Sequence, residues 1–241
     1  MKKITAILSI HVLFSYGLYS QSNLYEDDMN EIIVFLTKHC LSIETNPVFQ
    51  TKTDEINLFV GKVFEKQYTS DDIPILTAQA LQLFYDNSMG TTHRLVFALT
   101  DLPREHIRRS MCYMALAFLT DEYRYFSFLA DARTTLNAVA DQLRFNMRMT
   151  VDTIEDEYEE LSREYVLMSK MFLIVNMIEL YKNLNSEDFT NTSNYVFEHN
   201  ISRFQNELKD REKDIDDTIF IAEYKKIISD IVHTRNEQQV D

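Results

Sequence analysis

The chain has 241 residues, a formal net charge of −14 and 45% hydrophobic residues, but only three glycines and three prolines. Its negative field repels nucleic acid and anionic membrane surfaces, because phosphate binding needs clustered lysines and arginines, and its apolar content is too high for a disordered chain. Glycine and proline are common in turns and interrupt helices, so their scarcity predicts an almost entirely helical protein. The sequence also contains no glycine-rich phosphate loop and no nucleophile elbow, which excludes those kinds of site.

The first 22 residues have the layout of a secretory signal peptide. Lys2 and Lys3 form a positive start, residues 4–19 are mainly apolar, and Ser20 and Ser22 are small residues suited to a cleavage site. The apolar stretch is shorter than the roughly 20 residues of a membrane-spanning helix, so we expect cleavage rather than retention as an anchor. The sequence thus predicts an exported protein, periplasmic or extracellular, with a start typical of bacterial signals.

The amino-terminal half is predicted to contain short helices. The first, over 23–41, has apolar residues along one face and ends before Pro47, because the residue before a proline disfavours helix. Ser70 and the two aspartates after it are typical of a helix start, and Gly90 suits the end of the same helix. Further helices are predicted over 53–67, 95–99 and 101–118.

Longer helices are predicted in the carboxy-terminal half. Residues 121–149 show helical spacing, and in the following segment apolar residues recur with alternating steps of three and four, which is the heptad pattern of coiled coils. The heptad positions are Val151, Ile154, Tyr158, Leu161, Tyr165, Met168, Phe172 and Val175. A polar linker is predicted at 183–194, followed by helices over 195–209 and 214–233.

These elements predict an all-α fold. We expect a helical bundle with a long antiparallel coiled-coil-like hairpin, over about 121–184, and shorter helices packed against it. Residues 168–180 are apolar nearly all round but are interrupted by Lys170 and Asn176, so they are predicted to be buried among other helices rather than to span a membrane. We predict one domain over 23–236, with 23–120 and 121–236 as an alternative subdivision, and a disordered tail at 237–241.

An aromatic cluster is the candidate interface. Tyr123, Tyr125, Phe126 and Phe128 are near neighbours in the sequence, so their side chains point in different directions and part of the cluster faces away from the main core. Aromatic residues are enriched at the centres of protein interfaces. The alternative is that they fill the core where several helices converge.

A positive patch is the candidate anion-binding site. Arg104, Arg108 and Arg109 lie close to a predicted helix start, where backbone N–H groups favour anions. The alternative is that these arginines pair with the many carboxylates of the chain itself.

The two cysteines after the signal, Cys40 and Cys112, are a candidate disulfide, because an exported protein meets an oxidising environment. Both flank apolar residues, so two buried free thiols are the alternative. Asp230 and His233 are three residues apart on a predicted helix, but this pair occurs only once, whereas a helical metal site needs a second one. His39 and Cys40 are adjacent, so their side chains point to different helix faces. Neither pair therefore completes a metal site. We therefore predict no metal, no cofactor and no catalytic residue.

These features predict a non-enzymatic protein that acts by protein–protein binding or assembly in the periplasm or at the cell surface, through self-association or a helical partner. One alternative is an immunity-type periplasmic protein that neutralises a basic toxin, with its acidic charge speeding association. Another is a metal- or ligand-binding helical enzyme whose site assembles from dispersed residues. No nucleic-acid partner is expected, and no membrane span after signal cleavage.

Overall fold

The computed structural model describes residues 25–42, 58, 62–63, 65, 67–77, 79, 114, 117–119, 124–150, 155–186 and 192–239. Within these ranges the regular structure is helical and no strand occurs. The long helices are α1 (Glu26–Ser42), α2 (Arg124–Thr150), α3 (Glu155–Asn185), α4 (Asn194–Arg211) and α5 (Thr218–Gln238). A single turn of 3-10 helix, Ser70–Asp72, leads into helical residues 73–77. The predicted all-α fold with packed helices is confirmed.

Helix α3 is the centre of the bundle. It packs against α1, α2 and α4, and every residue from 171 to 184 is buried. A helix covered on several sides must be apolar nearly all round, as this segment is. The predicted burial of residues 168–180 is confirmed, with Lys170 half-buried. In the described ranges no helix is both long enough and apolar enough to cross a bilayer.

Helix α2 lies along α3 and contributes one apolar stripe. Its buried side chains recur every three or four residues, which places them on one face: Leu129, Ala132, Leu136, Val139 and Leu143. Arg133 is hydrogen-bonded to Glu179 and Arg144 to Tyr165, so later residues of α2 meet earlier residues of α3. The connection at 151–154 lies outside the described residues, and the hairpin over 121–184 stays a prediction.

The predicted heptad pattern of α3 matches burial only in its second half. Tyr165, Met168, Phe172 and Val175 are buried, whereas Tyr158 is exposed. Between Met168 and Val175 the residues that are not heptad positions are buried as well, apart from the half-buried Lys170. This half of α3 is therefore enclosed by several helices rather than by one coiled-coil partner.

Helix α1 packs against both α3 and α5 through an apolar face. Phe35 is buried, and its ring centroid lies 5.2 Å from that of Phe220 on α5. The ion pair of Lys226 with Glu31, at 2.7 Å, lies exposed at the margin of the same contact. The first predicted helix, 23–41, is confirmed as Glu26–Ser42.

Helix α5 differs from its prediction over 214–233 at both ends. It starts at Thr218, because Asp217 caps it: Oδ1 accepts a hydrogen bond from the Phe220 backbone N–H at 2.9 Å. It continues to Gln238, whose side chain accepts a hydrogen bond from the Tyr25 hydroxyl at 3.0 Å. Residues 237–238 of the predicted tail thus belong to α5, while the predicted helix over 195–209 is confirmed as α4.

Candidate functional site

A polar cluster is buried where α3 faces α2, α4 and α5. Its members are Arg133, Asn176, Glu179, Arg203, Glu207 and Tyr224. Asn176 and Tyr224 are 0% exposed. The cluster forms because Asn176 and Glu179 are three residues apart on α3, while Arg203 and Glu207 are four apart on α4, so that each pair shares one helix face.

The charges of this polar cluster balance one another. Glu179 accepts hydrogen bonds from Arg133 and, at 2.6 Å, from Arg203 Nη2. Asn176 Nδ2 donates to Glu207 Oε2 at 2.5 Å. Two guanidinium groups thus face two carboxylates, which is the arrangement that burial of ionised groups requires.

The two remaining acids of the cluster hold their protons more tightly than in water. Burial raises the pKa of Glu207, against the opposing effect of Arg203. Burial also raises the pKa of Tyr224, and the charge of Glu207 raises it further. A tyrosine is a neutral phenol at physiological pH, and burial makes the loss of the Tyr224 proton still less favourable.

A surface groove runs between α4 and α5, beside Tyr224, with a volume of about 420 Å³. It is lined by Gln205, Leu208, Lys209 and Glu212 from α4 and the turn after it, and by Tyr224, Lys225, Ile228, Ser229 and Val232 from α5. Residues 205–212 span about 10.5 Å, or two helical turns. On both sides the positions recur at steps of three and four, so the groove lies along the seam between two helix faces.

The groove has an apolar floor and a positive rim. Leu208 and Ile228 form the floor and are nearly covered by their neighbours. Lys225 is ion-paired with Glu212 at one end. Lys209 is exposed and has no ion-pair partner within the described part of the chain. The groove therefore offers apolar contact together with one available ammonium group.

Most of the sequence-predicted site residues lie outside what the structure describes. Arg104, Arg108, Arg109, Cys112 and Tyr123 are outside the described residues. Cys40 lies in α1, and Tyr125 and Phe126 lie in α2, but their side chains are likewise not described. Phe128 is half-buried and packs against the core. The disulfide, the anion-binding patch and the aromatic interface remain predictions.

The histidine and acidic pairs weighed as metal ligands have other partners. His233 is exposed and lies 3.3 Å from Glu237, while Asp230 lies 2.8 Å from Lys226. His39 is buried between the rings of Phe35 and Phe220. Over the described ranges, no group of three His, Cys, Asp or Glu side chains could hold a metal ion.

His39 and Glu223 form a pH-sensitive contact between α1 and α5. His39 Nε2 lies 2.6 Å from Glu223 Oε2, and Lys38 also pairs with Glu223. Burial lowers the pKa of His39, although Glu223 opposes this effect. The hydrogen bonds from Lys38 and His39 hold the pKa of Glu223 below its usual range. Both groups therefore bind protons less readily in the folded state than in the unfolded state.

We expect the contribution of His39 to the free energy of unfolding to fall as the pH is lowered from 7.5 to 5.5. The ordinary pKa of histidine is 6.5, so below that pH the unfolded chain takes up a proton that folded His39 resists. Urea denaturation at several pH values measures this slope. His39→Gln should make the slope shallower, and His233→Gln, which alters an exposed histidine of α5, is the matched substitution for comparison. Equal slopes for the protein and His39→Gln would show that His39 does not contribute.

Comparison with known proteins gives no relative: no family model, no curated protein and no solved structure matches the chain. A functional proposal therefore depends on the polar cluster and the groove themselves. The charged groups of the cluster pair with one another, whereas the groove, to which Tyr224 also contributes, is open to other molecules.

Proposed function

We propose that the protein is a non-enzymatic binding protein that receives a helical segment of a protein partner in the groove between α4 and α5. The observation that supports this is the form of the groove: two helix faces flank an apolar floor that is about two turns long. A helix fits such a seam by inserting apolar side chains that recur at its own steps of three and four.

The polar cluster favours binding over catalysis. A general acid or base must lie within hydrogen-bond reach of its substrate. Glu179 and Asn176 are buried, and the Glu179 carboxylate already accepts from two arginines. Tyr224 releases its proton less readily than an ordinary tyrosine, because burial raises its pKa, so it is poorly suited to act as a general acid or base near neutral pH. The cluster therefore acts by holding α2, α3 and α4 together behind the groove.

The proposed setting is the periplasm or the cell surface. This part of the proposal depends on the first 22 residues, whose positive start, apolar stretch and small residues are typical of a secretory signal.

We expect a photo-crosslinking amino acid at position 229 to join the protein to one defined partner in cells of its own organism. Ser229 lines the groove, so its side chain faces a bound helix. Asp210 is exposed on α4 and does not line the groove, which makes it the matched control position. Mass spectrometry of the crosslinked peptide should map a helical segment of the partner.

A second change tests whether the product depends on the groove. Val232→Arg places a long charged side chain at the end of the groove and should abolish the product from position 229. Equal products from positions 229 and 210, or a product that survives Val232→Arg, would contradict the proposed function. A product that contains two copies of this chain would agree with it.

A further inference from the structure

The last three turns of α2 carry an exposed ridge formed by Asp141, Phe145 and Met149. These residues are four apart, so they lie on one helix face. Phe145 is 59% exposed and Met149 is 66% exposed. Two large apolar side chains on neighbouring turns make a continuous apolar patch, which is typical of an interaction surface when it is bordered by charge.

The ridge matches the groove in length and in chemistry. From Asp141 to Met149 the helix rises about 12 Å, and the groove spans about 10.5 Å of α4. The register that fits places Phe145 over Leu208 and Ile228 of the groove floor, with Asp141 about 6 Å nearer the Glu212 end, where the long Lys209 side chain can reach its carboxylate. Met149 then reaches the end of the groove, where Val232 is half-buried. The available ammonium group thus meets a carboxylate, and the apolar floor meets two apolar side chains.

We propose that the occupant of the groove is a second copy of this chain, which inserts the ridge of its α2. This inference rests on the proposed function of the groove as a helix-binding surface. The ridge and the groove are different surfaces of the same chain, so the contact between two copies is heterologous. Repetition of a heterologous contact produces either a closed ring or an open filament.

The expected self-association is weak and depends on salt. A groove of two helical turns buries much less surface than the roughly 1,600 Å² of a standard stable interface, so the contact belongs to the transient class. The net charge of −14 repels a second copy at low ionic strength. Added salt at about 0.15 M should therefore strengthen association, because it screens this repulsion more than it weakens the close Asp141–Lys209 pair.

Sedimentation velocity of the purified protein over a wide concentration range tests the inference. We expect the sedimentation coefficient of the wild-type chain to rise with concentration. D141K and K209D should each weaken association about fivefold or more, because each places like charges at the rim. The double variant D141K/K209D restores the pair with reversed signs and keeps the net charge, so it should regain most of the wild-type affinity. F145D should abolish association.

Two control variants separate the contact from a general effect of charge. K213D and D131K change exposed residues outside the groove and the ridge and alter the net charge as K209D and D141K do. They should not change association beyond the small effect of the altered net charge. Equal weakening by the controls, or no recovery in D141K/K209D, would overturn the inference. Circular dichroism confirms that each variant folds.

The two proposals fail in different ways. A wild-type chain that stays monomeric at every concentration, but crosslinks from position 229 to another protein, would overturn the second-copy inference and leave the proposed function standing. A monomeric chain that gives no groove-specific crosslink would overturn both.

Discussion

Glu179→Ala should lower the free energy of unfolding by about 3–5 kcal/mol, the usual cost of removing one member of a buried ion-paired set. The Glu179 carboxylate stands between Arg133 and Arg203, whose side chains are only 19% and 34% exposed. Without it, the guanidinium groups of Arg133 and Arg203 lose the carboxylate that pairs with both of them, and only Glu207 of the cluster still opposes their charge. Since Arg203 is one-third exposed, water screens part of this charge, and the lower end of the range is expected.

Urea denaturation at pH 7 measures the change, and two variants calibrate it. Glu179→Gln keeps the shape and one hydrogen-bond acceptor, so it should lose less stability than Glu179→Ala. Glu31→Ala removes the exposed partner of Lys226 and should cost less than about 1 kcal/mol. A similar loss in Glu179→Ala and Glu31→Ala would contradict the central role of the polar cluster.

Phe220→Ala should cost about 3–5 kcal/mol, because Phe220 is fully buried where α1 meets α5. Its ring centroid lies 5.2 Å from that of Phe35 and 4.9 Å from that of His39. Lys170 Nζ lies 5.1 Å from the same ring centroid. The substitution leaves a cavity and removes the aromatic contacts that hold α1 against α5.

The neighbouring residue provides the control for this substitution. Ile219 is exposed, so Ile219→Ala should change the free energy of unfolding by less than about 0.5 kcal/mol. Hydrogen exchange adds a local readout: in Phe220→Ala the amides of α1 should exchange faster than those at the centre of α3. A loss of less than about 1 kcal/mol in Phe220→Ala would show that α1 is held mainly by other contacts.

Helical periodicity predicted most of the described fold. The patterns that predicted helices over 23–41, 121–149 and 195–209 correspond to α1, α2 and α4, because apolar spacing reflects which face of a helix is covered. The ends of α5 were harder to predict. Its start depends on Asp217, which caps the helix, and its continuation to Gln238 depends on a contact with Tyr25, 213 residues earlier in the chain.

The polar cluster and the groove were not predicted, because their partners are distant in sequence. Arg133 and Arg203 lie 46 and 24 residues from Glu179, and no local pattern pairs them. The available signal was that Asn176 and Glu179 are the polar residues of an otherwise apolar stretch of α3, 171–181, and buried polar side chains require hydrogen-bond partners. In α4, the apolar residues around Leu208 have the same spacing whether another helix covers them fully or leaves a groove beside them. The sequence pattern therefore does not reveal the groove.

The most direct test of the groove as an interaction surface is hydrogen exchange of the wild-type protein at low and high concentration. Occupancy of the groove by a second copy predicts slower exchange at high concentration in residues 205–212 and 225–232 and in residues 141–149, with no change in residues 26–42. Exchange in these segments that is independent of concentration, or equal protection of residues 26–42, would contradict it.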